Sequence, residues 1–123
     1  MFCKVDWNIE MKTISEANTF EHWTKVYQRK KKQKLAVKYK YMQEKPSFTL
    51  PCKIILTRIS PRTLDFDNLT CSLKSVRDAV CDLVNPGLSP GRSDSDSRIS
   101  IEYLQDKSKN KMQSVRIQIF CEI

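Results

Sequence analysis

Residues 2–14, Phe-Cys-Lys-Val-Asp-Trp-Asn-Ile-Glu-Met-Lys-Thr-Ile, partly alternate apolar with polar, the period of a strand with one wet face. Asn18 and Glu21 then stand at the spacing of a helix cap and its returning acid. Phe20, Trp23, Tyr27, Leu35 and Met42 recur near helical spacing, which predicts a long helix over 19–43 whose apolar positions Phe20, Trp23 and Tyr27 pack on the core or, as the terminal strand 113–120 also could, form a dimer interface. Glu44-Lys45-Pro46 ends it, because the residue before a proline is pushed out of the helical region. Residues 52–59, Cys-Lys-Ile-Ile-Leu-Thr-Arg-Ile, form a β-branched run between Pro51 and Pro61 and predict a second strand. Leu69, Leu73, Val76, Val80 and Leu83/Val84 mark a second amphipathic helix over 68–84. A Pro/Gly/Ser/Asp-rich stretch, 85–97, reads as a loop. Residues 98–103 and 115–120 alternate again, and the short polar link between them predicts a hairpin. The order is β-α-β-α-β-β: an α/β fold in a single domain, with helices packed on a mixed sheet.

Composition narrows the function. The 123 residues carry a net charge of +8, which favours a polyanionic partner. The five cysteines are odd in number and include no C-x-x-C pair, which argues against a disulfide framework or a zinc site and fits a reducing compartment. No signal peptide opens the chain, and no apolar run reaches membrane-spanning length. The expectation is a soluble, cytoplasmic protein.

Charge is concentrated on the first helix. Arg29, Lys30, Lys31, Lys32, Lys34, Lys38 and Lys40 crowd it, Tyr27, Tyr39 and Tyr41 interleave with them, and Glu44 is the one acid between residues 25 and 45. Such a helix repels itself unless counterions or phosphates lie along it. It reads either as a face that tracks DNA phosphates, Arg29, Lys30, Lys31, Lys32 and Lys34 foremost, or as a plain solvated surface. A basic amphipathic helix lying on a membrane is a further alternative, although Phe20 and Trp23 are better explained as core. His22 is the only histidine, and a lone helix histidine is more often structural than catalytic.

The acids follow a spacing. Asp65 and Asp67 are two apart just after the second strand, and Asp94 and Asp96 repeat the spacing before a later one. If the strands bring them together, the carboxylates repel one another until a divalent cation joins them, and Mg²⁺ prefers oxygen ligands. Each has an ordinary explanation as well: Asp67 as a helix cap, Asp94 and Asp96 as solvated loop acids. Lys74, four residues before Asp78, is either half of an ion pair on a wet helix face or a cation placed to stabilise charge on a phosphate.

Leu64-Asp65-Phe66-Asp67-Asn68-Leu69, Lys74-x-x-x-Asp78-Ala79 and Asp96-x-x-Ile99, together with Asn18-x-x-x-His22-Trp23 and Lys30-Lys31, resemble the RusA-type Holliday junction resolvases over roughly residues 18–120. The resemblance implies a homodimeric, Mg²⁺-dependent endonuclease that nicks branched DNA. In it Asp65, Asp67 and Asp96 hold the metal, Asp94 is a weaker candidate, and Lys74 is the catalytic cation. Two departures stand out. The lysine lies seven residues after the second aspartate where the type member has four, and Cys71 occupies that earlier position. The loop at 85–97 is also longer. A non-catalytic DNA-binding protein that uses only its basic helix is the alternative.

Overall fold

A computed structural model describes residues 1–16, 20–86 and 96–122. The elements are β1 (Phe2–Glu10), α1 (Trp23–Glu44), β2 (Cys52–Ser60), α2 (Phe66–Ser72), α3 (Lys74–Val84), β3 (Ile99–Lys107) and β4 (Ser114–Cys121). The mixed α/β architecture is the expected one. The single second helix is in fact two, broken at Leu73. Thr70 Oγ1 and Ser72 Oγ donate to the carbonyls of Asp67 and Leu69, a local bonding habit that competes with the helical ladder and bends it. Leu73, wholly buried, turns the chain there at φ −104° and ψ 4°.

The sheet runs in the order β1-β4-β2-β3. β4 is antiparallel to both β1 and β2, and β2 is parallel to β3. The predicted β3–β4 hairpin is therefore not formed, because β2 lies between those strands. Residues 108–113 pass over its end instead, where the Ser108 amide donates to the Ser60 carbonyl at 3.1 Å. β2, apolar on most of its length, and β4 occupy the sheet interior, where pairing along both edges satisfies their backbones.

All the helices cover one face of the sheet. Val5, Trp7 and Ile9 of β1, Ile54 and Leu56 of β2, and Val115, Ile117 and Ile119 of β4 point into a core closed by Leu69, Leu73, Val76, Val80 and Val37. The opposite face is wet and carries cross-strand charge pairs, Arg116 with Asp6 at 2.7 Å and Lys53 with Glu102 at 3.4 Å. The Arg116 hydrogen bond holds the Asp6 carboxyl below its usual range. The cysteines are free thiols. Cys52 and Cys121, opposite one another in the β2–β4 register, have sulfurs 3.0 Å apart. Burial first, and then the neighbouring sulfur, pushes the Cys52 thiol up to about 12. Among the described residues, no helix is long and apolar enough to cross a membrane.

α1 begins at His22, whose ring nitrogen accepts from the Thr24 amide at 3.2 Å, so the lone histidine is a cap. Asn18, the expected cap, lies outside the described residues. At the other end Lys45 takes a left-handed conformation, φ 46° and ψ 52°, and its amide closes on the Tyr41 carbonyl. A β-carbon there costs about 1 kcal/mol relative to glycine. Lys45→Gly should accordingly raise stability by about 1 kcal/mol, a few degrees in Tm for a domain of this size. Thermal unfolding of the variant against the parent measures it, and a drop in Tm would mean that the Lys45 side chain contributes more than its backbone strain removes.

Candidate nucleic-acid interface

The position of α1 reverses the expected orientation of its apolar stripe. The helix packs through Val26, Gln33, Ala36, Val37 and Tyr41, with Gln33 Nε2 donating to the Lys12 carbonyl at 2.7 Å. At 100° per residue, positions 33 and 37 lie nearly opposite 35 and 42, and about a quarter turn from 27. Phe20, Trp23, Tyr27, Leu35, Tyr39 and Met42 consequently face solvent, Trp23 at 71% and Tyr39 at 65% of full exposure. The signal that misled was periodicity itself, since an apolar row on an outer face has the same period as one on an inner face. What distinguishes them is that Ala36 and Val37, smaller and less conspicuous, are the residues that fit into the core.

The basic residues divide along the same lines. Lys25, Lys31, Lys32, Lys34 and Lys38 are exposed, while Lys30 and Lys40 are half-buried. Arg29, expected among the DNA contacts, is instead held inside the fold. Its guanidinium makes two 2.8 Å bonds to Glu16 and a 2.9 Å contact with Glu21. The Glu16 hydrogen bond, supported by Glu21, raises its pKa further. Positions 26, 29 and 33 share the inward side of the helix, so Arg29 ties the incoming chain to α1 and does not face a ligand.

The acids are not brought together as expected. Asp65 caps α2, its carboxylate accepting from the Asn68 amide at 2.9 Å, and Asp67 lies in the first turn. Both are exposed. They stand near the carboxyl end of β3, because Leu64 is bonded through its backbone to the Gln105 side chain. Asp96 precedes Ile99, at the opposite end of that strand. From Gln105 to Ile99 is six residues, roughly 20 Å at the rise of a β-strand. β2 and β3 are neighbours, as the acid cluster required, but they are parallel, and acids placed after one and before the other fall at opposite ends.

Asp96 is also fully engaged. It accepts from the Arg98 backbone amide at 2.9 Å, from the Arg98 guanidinium at 3.1 and 2.8 Å, and from Asn85 Nδ2 at 2.9 Å. These bonds, the Arg98 side chain's first, lower its carboxyl to about 2. Asp94 lies outside the described residues. No group of three or more metal-ligating side chains is present among the described residues, so the Asp65–Asp67–Asp96 set does not fit a Mg²⁺ site. Lys74 opens α3 and is exposed, one short helix beyond Asp67 and roughly 10 Å along the axis. Asp78 pairs with Arg77 at 3.4 Å, and Lys74 makes no ion pair among the described residues.

Sequence reasoning passed over Arg58. It lies in β2 and is 5% exposed. A single arginine inside a β-branched run was the available signal.

Asp96 supplies a pH test. Its folded pKa is below the unfolded value near 4, so its stabilisation is complete above pH 4 and is lost as pH falls toward 2. Asp96→Asn should flatten the acid limb of the stability curve between those values, read from denaturant unfolding. DNA affinity at neutral pH should stay unchanged. Reduced affinity in a folded Asp96→Asn protein would place this end of the sheet at the ligand.

No family model matches the chain, and no curated protein matches it; the likeness to the RusA-type resolvases rests on the D-x-D-N-L segment and its neighbours.

Proposed function

We propose that this chain is a nucleic-acid-binding protein, with DNA as its partner, and that the outer face of α1 is the binding surface. The observation that carries the reading is the make-up of that face. Trp23, Tyr27 and Tyr39 stand exposed among Lys31, Lys34 and Lys38, with no acid between residues 25 and 43. Lysines along a 22-residue helix neutralise successive phosphates and release their counterions. Exposed aromatic rings offer base faces a surface to stack on. A second copy of the chain is a poor occupant, because it would set one lysine row against another.

Replacing Lys31, Lys34 and Lys38 together with alanine should weaken binding to any DNA. The slope of log K against log salt should fall by roughly 2–3, the value for about three lost phosphate contacts. Fluorescence anisotropy across a salt series measures this. A slope unchanged by the triple substitution would remove α1 from the interface.

A second reading is favoured by one observation, the two exposed carboxylates Asp65 and Asp67 at the start of α2. It is a Mg²⁺-dependent endonuclease that nicks four-way junctions as a homodimer, the two-fold symmetry of protein and substrate matching. Asp96 has no part in it. A synthetic four-way junction incubated with and without Mg²⁺ separates the readings. The first expects a junction bound and uncut. Mg²⁺-dependent cutting that is lost in Asp65→Asn would replace it with the second.

A further inference from the structure

Among the described residues, no acid answers the charge of Arg58. It is buried, and its bonds go to neutral oxygens: Nε to Thr13 Oγ1 at 3.0 Å, Nη2 to the Thr13 carbonyl at 3.2 Å, and Nη1 to the Arg62 carbonyl at 2.7 Å. No carboxylate pairs with it among the described residues, whereas Arg29, Arg77, Arg98 and Arg116 each have one. Burial lowers its pKa, but a guanidinium stays protonated in a protein. Of its five N–H groups, these bonds use three. A buried charge satisfied only by neutral dipoles is costly, and an anion delivered to it recovers part of that cost.

The surroundings supply a place for the anion. Arg58 lines a cleft of about 350 Å³ together with Thr13, Ser15, Ser60, Arg62 and Gln113. The cleft lies at the carboxyl ends of β1 and β2, which run parallel on either side of β4. Arg62 adds a second positive charge, and Ser15 is positioned by its hydrogen bond to the Asn68 side chain. Among the described residues, no acid lines the cleft.

We propose that this cleft is an oxyanion site whose ligand is a phosphate group, held by Arg58 with help from Arg62. A guanidinium fork matches phosphate oxygens in geometry as well as charge. The site stands apart from α1 and does not depend on the reading of that helix. Its phosphate comes either from a nucleic-acid backbone or from a free or terminal phosphate.

Inorganic phosphate is the probe. Thermal unfolding in millimolar phosphate, matched in ionic strength with chloride, should show a Tm that rises with dose. Arg58→Met keeps the side-chain length and removes the charge, and it should unfold at a Tm independent of phosphate. Arg62→Ala, at an exposed position, should keep the fold and show a reduced response. Phosphorus NMR adds a measurement that needs no variant: the protein should broaden the phosphate line, and excess sulfate should sharpen it again. An oligonucleotide without terminal phosphates that also displaces phosphate would make a backbone phosphodiester the ligand. Displacement only by 5′-phosphorylated ends would make it a terminal or free phosphate. No broadening and no Tm rise in the parent protein, or an equal rise in Arg58→Met, would overturn the site and leave Arg58 as a tie between segments 13 and 62. Phosphate binding with no DNA binding would overturn the α1 reading alone.

Discussion

β2 pairs along both of its edges, antiparallel to β4 and parallel to β3, and the arrangement of the molecule follows from that. A parallel neighbour cannot be reached by a tight turn, so α2 and α3 are needed to carry the chain back across the sheet. The same pairing keeps β3 and β4 apart and sends residues 108–113 over the end of β2. It also places the segment after β2 and the segment before β3 at opposite ends, and so separates Asp65 and Asp67 from Asp96.

α1 packs against α3 and the edge of β1 through a narrow apolar strip, Ala36, Val37 and Tyr41, and polar ties fix it to β1 and to the chain that follows it. Of its residues only Gln33 and Val37 are fully buried. Glu44 accepts from the Trp7 indole, Arg29 holds Glu16 and Glu21, and Gln33 reaches the Lys12 carbonyl. A helix held this way can keep a large apolar and cationic face in water, because its orientation does not depend on burying that face. Large exposed apolar patches bordered by charge mark interaction sites, and the positive sign of the charge is the basis on which we propose an anionic partner.

Two cationic features thus differ in kind. The lysines of α1 are flexible, hydrated charges suited to following a backbone of varied sequence, and salt weakens them. Arg58 is buried and its orientation is fixed by three hydrogen bonds, so it is suited to one oxyanion in one place.

The strands with their alternating burial, and the helical character of segments 23–44 and 66–84, were legible in the sequence, because period-2 and period-3.6 patterns are local properties of the chain. So were the α/β class and the basic character of α1. Three matters were decided by tertiary structure alone. Which face of α1 turns inward depended on the fit of Ala36 and Val37 into the core beside α3, and the larger aromatic residues gave the opposite impression. Whether the D-x-D acids meet Asp96 depended on strand direction, which spacing along the chain does not encode. The isolation of Arg58 depended on which side chains surround it in three dimensions. A sequence specifies where each residue lies on its own element, but the partners of that residue are set by how the elements pair, through contacts between positions far apart in the chain.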